Sequence, residues 1–360
     1  MSSHADPALR TGLSYDDVLV VPARSPVESR SDVSLATQLT DDIRLDAPLL
    51  SAPMDTVTGP ELAVALHELG GFGTVHRFQT VADQAAAVER TVEADARVGA
   101  ALGIDEQYLD RAERALEAGA DCLMVDVAHG RMEAALEAVA TVADEFDAPL
   151  VAGNVATREG VADLAAAGAD CVKVGIGPGS HCTTREVAGA GVPQFTAVRD
   201  CARAARDHGV RTIADGGISG SGDAVTALLA GADTVMMGGF FAGTAEAPGE
   251  VVERDGRRYK RSHGMASTAA NEGRSDKTAA EAAPGADEGV AGLVPHRGPL
   301  DDIVPEFLAG IRSGVSYAGG HTLPEARDGV EFIRVTEGAK ARAGSHTFVR
   351  EETRPTGHGD

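Results

Sequence analysis

The sequence contains little that would suit binding to nucleic acid or insertion into a membrane. It holds 32 basic residues against 55 acidic ones, a formal charge of −23, and only Lys173, Lys260, Lys277 and Lys340 are lysines. A surface of that charge repels nucleic acid and anionic membranes. No apolar run reaches the roughly 18 residues of a membrane span, and the start MSSHADPALR lacks the apolar core of a signal peptide. We therefore expect a cytoplasmic protein with no nucleic-acid or membrane partner.

Cysteine is also scarce. The four cysteines form no CxxC pair and no extracellular spacing pattern, which argues for a reducing compartment and against a disulfide framework or a zinc site. An acidic, lysine-poor and alanine-rich composition is typical of proteins solvated in concentrated salt, so we expect a halophilic cytosol. An ordinary acidic bacterial protein with high-GC coding bias is the alternative.

The chain alternates short apolar strands with alanine-rich amphipathic helices. Three copies of AGAD, at 118–121, 167–170 and 230–233, each close a helix with glycine and lead into a buried parallel strand. Eight such steps indicate an α/β fold of the (β/α)8 TIM barrel type rather than a doubly wound sheet, with residues 1–360 as a single catalytic domain. The expected strands end near residues 51, 75, 102, 126, 153, 175, 215 and 238, and the expected helices lie at about 60–69, 82–93, 106–118, 131–145, 158–167, 195–208, 221–230 and 300–312.

One stretch, CVKVGIGPGSHCTTR at 171–185, runs from a buried strand into a glycine-rich loop. The glycines let the backbone approach a ligand closely, Ser180 and Thr183 add hydroxyls, and Cys182 follows GPGSH, which is neither apolar nor periodic. Most free cysteines are small buried hydrophobes, and the other three cysteines lie in apolar or helical patterns that fit this role. We interpret Cys182 as a candidate nucleophile.

Other polar residues follow neighbouring strands and would meet Cys182 at one rim. In such barrels the active site lies at the C-terminal ends of the strands, with phosphate commonly held after strands seven and eight. The sequence places ADGGI (214–218) and MGG (237–239) at those positions. Asp126, Asn154 and Asp215 would converge on the same rim. No Rossmann or P-loop fingerprint occurs, so a dinucleotide would have to lie across the rim.

Two segments exceed a minimal barrel. Residues 242–298 separate the eighth strand from its helix, and a loop of that length in a compact domain is usually a lid or a disordered insert. Because both of its ends carry motifs that look tied down, we expect a mobile flap over the site. Residues 345–360 are expected to form a flexible tail.

At this point the motifs carry a resemblance that spans nearly the whole chain. The sequence resembles the family of inosine monophosphate dehydrogenase and guanosine monophosphate reductase, and the loop around Cys182 is the most specific match. The resemblance implies a (β/α)8 barrel, an assembly of four identical subunits (a homotetramer), and chemistry at C2 of a purine nucleotide such as GMP or IMP. The matching motifs are LSYDDVLVVP (13–22), LLSAPMDTVT (49–58), DVAHG (126–130), AGNVAT (152–157), KVGIGPGSHCTTR (173–185), GVPQFTAV (191–198), ADGGI (214–218) and GEVVERDGRRYK (249–260).

The resemblance also implies residue roles. Cys182 would attack purine C2, and Thr184 would handle protons together with Glu288 of the flap. NADPH or NADH, or NAD in a dehydrogenase, would be the cofactor, and carbonyls of three loop residues would bind K⁺. The implied substrate-binding residues are Ser180, Gly217, Gly238 and Gly239 for the phosphate, Asp215 for the ribose, and Met54, Met265 and Ala266 with Glu288 for the base. Those near the nicotinamide would be Asp126, Asn154 and Gly175, and the K⁺ ligands would be Gly175, Gly177 and Cys182.

The chain departs from the family pattern in ways that bear on the direction of the reaction. Family dehydrogenases carry an Arg-Tyr pair in the flap that activates water, whereas this chain has Lys277-Thr278 there. The regulatory nucleotide-binding (CBS) modules that most dehydrogenases insert after the second helix are absent. Ser262-His263 replaces an aromatic phosphate contact, and AGSH (343–346) lacks an acidic residue of the intersubunit K⁺ site. The first two differences favour the reductase, which forms IMP and ammonia from GMP.

Other functions stay open at this stage. GVPQFTAV and EGVAGLVPHRG look closer to the dehydrogenase, which oxidises IMP to XMP in GMP biosynthesis. A phosphosugar lyase or aldolase would use Lys173 as a Schiff base but would leave Cys182 unexplained. A non-catalytic nucleotide sensor would keep the phosphate-binding glycines and would need no thiol.

Overall fold

The structure is a computed structural model that describes residues 9–105, 107–276 and 287–341. Eight parallel strands close into a barrel, each paired with the next in chain order and the last with the first. The expected barrel is therefore confirmed. The strands are β1 Leu49–Ser51, β2 Phe72–Val75, β3 Val98–Leu102, β4 Cys122–Asp126, β5 Leu150–Val155, β6 Cys171–Val174, β7 Arg211–Asp215 and β8 Thr234–Met237.

A helix follows each strand and packs on the outside of the barrel. The eighth helix is longer than the sequence pattern indicated, because Gly314 is a packing residue and does not end it. A side chain at Gly314 would meet Val225 at 2.4 Å, and the helix ends only before Gly319, whose φ is +90°. The helices are α1 Pro60–Glu68, α2 Val81–Glu93, α3 Tyr108–Glu117, α4 Glu133–Glu145, α5 Arg158–Ala166, α6 Gln194–His208, α7 Ser221–Ala230 and α8 Leu300–Tyr317.

The barrel strands are apolar on both faces because each face is buried. Along β4, Cys122 and Met124 belong to the inner cluster of the barrel, whereas Leu123 and Val125 belong to the layer under the helices. A hairpin of Thr37–Gln38 and Arg44–Leu45 precedes β1, and its neighbourhood contributes Leu39 and Ile43 to the inner cluster. The hairpin therefore covers the N-terminal end of the barrel, and the opposite end is left for a site.

The segment between β8 and α8 contains regular structure of its own. Val251–Arg254, Arg257–His263 and Ala291–Pro295 form an antiparallel sheet, and Thr268–Gly273 is a helix. The first hairpin turns at Asp255-Gly256, where both φ angles are positive, as the Asp-Gly signal of a two-residue turn predicts. The flap predicted at 242–298 thus contains an antiparallel sheet and a short helix in its described part.

Lys260 anchors the flap sheet to the barrel. Its side chain is buried, and its ammonium group donates to the carbonyls of Thr244 and Ala245, at 2.9 and 3.3 Å, and to that of Ala247. Burial lowers the pKa of Lys260, while the charge of Glu246 acts against the change. Three carbonyl acceptors satisfy the three donors of the ammonium, so the root of the flap is fixed to the segment that follows β8.

Shorter elements complete the described chain. Val18–Val20 pairs antiparallel with Phe332–Arg334 and joins the two ends of the described chain. The expected tail at 345–360 lies outside the described residues. Within the described part, no helix has the length and apolar character required to cross a membrane. The remaining elements are the short helices Thr184–Val187, Gly239–Ala242, Leu323–Arg327 and Glu337–Lys340, and the 3₁₀ turns Tyr15–Asp17 and Arg30–Asp32.

Candidate active site

A cavity of about 660 Å³ opens at the C-terminal ends of the barrel strands, under the flap. Its wall is built from the loops after β1, β6, β7 and β8 and from two flap segments. Most of the residues singled out from the sequence line it, whereas Thr184, Asn154, Gly175 and Gly177 are not among the lining residues. The predicted residues in the wall are Met54, Asp126, Ser180, Cys182, Asp215, Gly217, Gly238, Gly239, Met265, Ala266 and Glu288.

Cys182 is the accessible cysteine of the chain. Its side chain is partly exposed to the cavity, whereas Cys122, Cys171 and Cys201 are buried. Burial raises the pKa of all three buried thiols, which keeps them protonated and unreactive. Among the four thiols, only that of Cys182 is placed to act as a nucleophile.

A short hydrogen-bonded chain leads away from that thiol. The Cys182 Sγ donates to Thr184 Oγ1 at 3.2 Å, and Thr184 Oγ1 donates to Glu288 Oε2 at 2.7 Å. A hydroxyl can accept and donate at once, so a proton that leaves the thiol has a continuous path to the carboxylate. The arrangement of nucleophile, relay and base lies within the distances that proton transfer requires.

Backbone contacts between the flap and the cysteine loop bring Glu288 into place. The Thr183 N–H donates to the Glu288 carbonyl at 2.9 Å, and the Val290 N–H donates to the His181 carbonyl at 3.0 Å. Glycine makes this close approach possible, because a side chain at Gly264 would meet the His181 carbonyl at 2.7 Å. The flap and the loop therefore meet as two short antiparallel segments with Cys182 opposite Gly289.

A buried ion cluster forms the floor of the cavity. Lys173 is 4% exposed, and its Nζ lies 2.9 Å from Asp126 Oδ1 and 2.5 Å from Asp215 Oδ2. Burial by itself lowers the pKa of Lys173, but attraction to the two carboxylates and their hydrogen bonds more than offset this, so the pKa is raised. A lysine held protonated is no nucleophile, so the geometry does not favour Schiff-base chemistry there.

Asn154 connects this cluster to the loop after β6. Its amide Nδ2 donates to the Gly175 carbonyl at 2.7 Å and to Asp215 Oδ2 at 2.9 Å. Its Oδ1 is buried and has no hydrogen-bond partner among the described residues. A buried acceptor without a partner, on a residue that contacts the lining residue Asp215, is a candidate contact for a bound group that carries a donor.

Glycines make the far end of the cavity narrow. A side chain at Gly239 would meet Ser180 Oγ at 2.7 Å, and one at Gly238 would meet the Met54 sulfur at 2.8 Å. Gly216 and Gly217 have φ angles of +87° and +75°, a conformation that favours glycine. The Ser180 hydroxyl and the backbone N–H groups of these glycines therefore lie close together, an arrangement that suits the binding of an anion.

The candidate potassium ligands, Gly175, Gly177 and Cys182, lie within one stretch of eight residues after β6. Gly177 has a φ of +82°, and a side chain there would meet Arg185 at 2.7 Å. The Gly175 carbonyl already accepts the Asn154 amide, which leaves one of its lone pairs for another partner. The backbone amide of Cys182 donates to the Gly179 carbonyl at 3.0 Å.

The substituted pair Ser262-His263 lies outside the cavity wall. The Ser262 hydroxyl is 3.2 Å from that of Thr56, and His263 Nε2 is 2.8 Å from Asp55 Oδ2. Both contacts join the flap sheet to the loop after β1. These two residues therefore hold the flap, and neither belongs to the described residues that line the cavity.

The sequence patterns did not single out several residues that line the cavity, and two residues that they did single out lie outside the described part of the chain. Lys173 was considered only as a Schiff base, and its ion pairs depend on the closed barrel, in which Lys173 of β6 reaches Asp215 of the adjacent β7 and Asp126 of β4, one strand beyond β5. Arg297 was not singled out, although the basic residue in VPHRG was a usable signal. Lys277 and Thr278 lie outside the described residues. Further lining residues not singled out are Pro178, Ile218, Ser219, Phe240 and Val294.

Comparisons with known proteins bear on this site. The profile of the IMP dehydrogenase / GMP reductase domain matches residues 12–346. The inosine-5'-monophosphate dehydrogenase of Nitrosopumilus maritimus is 33% identical, with 94% of this chain and 99% of that protein covered. The GMP reductase of Leishmania major is 32% identical, with 96% and 98% covered. The relatives thus carry both names.

A solved structure agrees with the fold along nearly the whole chain. The crystal structure of GMP reductase C318A from Trypanosoma brucei in complex with guanosine 5'-monophosphate superposes with a TM-score of 0.89 at 30% identity, covering 95% of this chain and 99% of that one. The two sequence alignments extend over 471 and 489 residues, more than the 360 present here. Those relatives therefore include segments that this chain lacks.

Proposed function

The chain belongs to the IMP dehydrogenase and GMP reductase family, whose members are oxidoreductases acting on purine nucleotides, and we propose that it is a GMP reductase. The reaction is the NAD(P)H-dependent reductive deamination of GMP to IMP and ammonia, a step of purine nucleotide interconversion. The observation that carries this proposal is the hydrogen-bonded chain from Cys182 through Thr184 to Glu288, set at the edge of a cavity of nucleotide size.

The first half of the reaction uses that chain directly. The thiol proton passes through Thr184 to Glu288, and the Cys182 sulfur forms a bond to purine C2. The C2–N bond to the exocyclic amino group then breaks. Glu288 returns the proton through Thr184 to that group, so the thiol hydrogen and the two amino hydrogens leave as ammonia. A covalent purine thioether at C2 remains on Cys182.

The residues at the cavity floor fit a nicotinamide. The Asn154 Oδ1, which has no partner among the described residues, can accept a carboxamide N–H. Asn154 donates to the Gly175 carbonyl and to Asp215, and Asp126 and Asp215 line the cavity. When bound, the reduced cofactor supplies the hydride that C2 receives. Lys173 keeps Asp126 and Asp215 in place. As C2 receives the hydride, the bond between C2 and the Cys182 sulfur breaks, and Cys182 leaves as a thiolate. The thiolate then takes a proton from solvent, which restores the thiol and balances the reaction.

The nucleotide itself would lie along the cavity wall. Asp215 keeps free lone pairs for the ribose hydroxyls after its bonds to Lys173 and Asn154. Met54, Met265 and Ala266 offer apolar surface to the base, and the Ala266 carbonyl accepts the Glu288 N–H at 3.3 Å. The phosphate would lie at the narrow end, among Ser180, Gly217, Gly238 and Gly239.

The direction of the reaction rests on the flap sequence. Water activation in the dehydrogenase needs a base, and Lys277-Thr278 stands where family dehydrogenases carry Arg-Tyr. A lysine with the ordinary pKa of its side chain is protonated at neutral pH and cannot take a proton from water. The reductase requires no such step. The second candidate is an IMP dehydrogenase without regulatory modules, and relatives of that name favour it.

We include three further features in the proposal. K⁺ would be bound by the carbonyls of Gly175, Gly177 and Cys182, where Gly175 keeps one lone pair. The enzyme would work as a homotetramer. Its acidic surface would suit a cytosol rich in potassium salt.

Purified protein in high potassium salt tests the proposal. With GMP and NADPH or NADH, we expect loss of absorbance at the reduced nicotinamide band and release of one ammonia for each cofactor oxidised. Comparable or faster reduction of NAD with IMP, with accumulation of XMP, would instead assign the dehydrogenase. Replacing potassium with sodium at the same ionic strength tests the cation.

A further inference from the structure

The narrow end of the cavity contains a guanidinium that none of the roles above uses. Arg297 lines the cavity near Gly238, Gly239 and Phe240. It follows the last flap strand, and its position is fixed by its backbone. The Arg297 N–H donates to the Gly243 carbonyl at 2.7 Å, and Gly298 pairs with Thr244.

An aromatic platform orients the side chain. The Arg297 guanidinium carbon lies 5.1 Å from the centroid of the Phe240 ring, within cation–π distance. Phe240 is held in turn by Phe241 and Phe307, at centroid distances of 5.1 and 4.7 Å. The guanidinium is therefore kept beside the segment that begins at Gly239.

The charges around the cavity leave Arg297 available to an anion. Among the described lining residues the carboxylates are Asp126, Asp215 and Glu288, and the cations are Lys173 and Arg297. Lys173 is paired with two of the carboxylates. No described carboxylate lies within ion-pair distance of Arg297. A nucleotide monophosphate carries a charge of about −1.5 to −2 at neutral pH, which three carboxylates would repel.

We propose that Arg297 binds the 5'-phosphate of the nucleotide and makes the enzyme select nucleotides over nucleosides. The planar guanidinium offers paired donors to two phosphate oxygens, in a geometry that lysine does not match. Ser180 and the backbone at Gly238 and Gly239 provide neutral donors on the other sides. The inference rests on the proposed function, because it names the part of the substrate that this arginine recognises.

Equilibrium binding of GMP, IMP and guanosine tests the proposal in three variants. Arg297→Ala removes the guanidinium, Arg297→Met keeps an apolar chain over Phe240, and Arg297→Lys keeps a charge. We expect Ala and Met to weaken GMP and IMP binding about tenfold or more, Lys to weaken it less, and all three to bind guanosine within twofold of the wild type. Arg258→Ala is the matched control, since Arg258 lies on the same flap sheet and outside the cavity wall.

The outcomes separate this inference from the function it rests on. If Arg297→Met binds GMP as well as the wild type, or if guanosine binding falls as far as GMP binding, Arg297 has only a packing role and the inference is wrong. An equal loss in Arg258→Ala would also overturn it, because the effect would then be one of net charge. If the wild type binds neither GMP nor IMP, the proposed function fails as well.

Discussion

Replacing Thr184 with valine tests the proton path from the nucleophile. Valine has nearly the same shape as threonine but lacks the hydroxyl, which here accepts from Cys182 at 3.2 Å and donates to Glu288 at 2.7 Å. Because the two bonds lie in series, one substitution breaks both. Positioned acid–base groups contribute roughly 10²- to 10⁴-fold in rate, or about 2.7 to 5.4 kcal/mol of activation free energy.

We therefore expect Thr184→Val to lower kcat for GMP by about 10²- to 10⁴-fold while GMP affinity changes little, since the proposed ribose and phosphate contacts lie elsewhere. The measurement is a single turnover with excess enzyme, in which ammonia release and cofactor oxidation are followed separately. Ammonia release should be the slowed step, because it needs the returned proton.

Thr183→Val is the matched control. The Thr183 hydroxyl makes only one long hydrogen bond, 3.4 Å to the Asp287 carbonyl, and does not touch Cys182 in the described structure. We expect its kcat to stay within about threefold of the wild type. The relay is refuted if Thr184→Val turns over at a similar rate to the wild type, or if the two valine variants lose activity equally.

Two further predictions concern single side chains. Cys182→Ala should abolish turnover and leave GMP binding largely intact, with Cys201→Ala as an active control; an active Cys182→Ala enzyme would contradict covalent catalysis. Burial lowers the pKa of His76, with the charge of Asp55 raising it and that of Arg111 lowering it further. Below about pH 6.5, His76 therefore binds a proton in the unfolded chain but stays neutral in the folded chain. Stability should then fall as the pH drops from about 6.5 towards the folded-state pKa, by about 1.4 kcal/mol for each pH unit. Denaturant unfolding from pH 7.5 to 5 should show a smaller loss in His76→Gln, and equal losses would assign the effect to other groups.

Much of the barrel could be predicted from the sequence because its signals are local. Seven helices begin and end within two residues of the expected positions. Their ends are marked by signals only a few residues long, namely the glycine of AGAD-type helix ends and the apolar runs of the strands. The eighth helix was misjudged because Gly314 serves a contact with Val225, a neighbour distant in sequence. The flap hairpin was not predicted, although Asp255-Gly256 is a strong turn signal. The strands on either side of the turn carry many charged residues and pack on no large core, so they lack the alternation of apolar and polar residues that identifies a strand.

The site was harder to predict where it depends on pairs of residues. The resemblance could single out Cys182, Thr184 and Glu288, but a separation of 104 positions between Thr184 and Glu288 gives no geometric reason for their contact. The pairing of Lys173 with Asp126 and Asp215 likewise follows from the barrel, which places the four strands β4, β5, β6 and β7 next to one another in that order. Charges that meet across strands are set by topology, which periodicity does not encode.

The contacts that hold the flap at the cysteine loop are also those that complete the proposed proton relay. Glu288 reaches Thr184 only with the flap backbone paired to the loop, through Thr183 to Glu288 and Val290 to His181. Two such hydrogen bonds contribute together about 1 to 3 kcal/mol, a preference of roughly 5- to 150-fold for the paired state. In the proposed mechanism, a preference of that size would keep the carboxylate beside the thiol during chemistry and would still let the flap separate from the loop between turnovers. Closure and acid–base readiness are thus the same event in this geometry, so a substrate that fails to fill the cavity beneath the flap would also fail to meet a working proton relay.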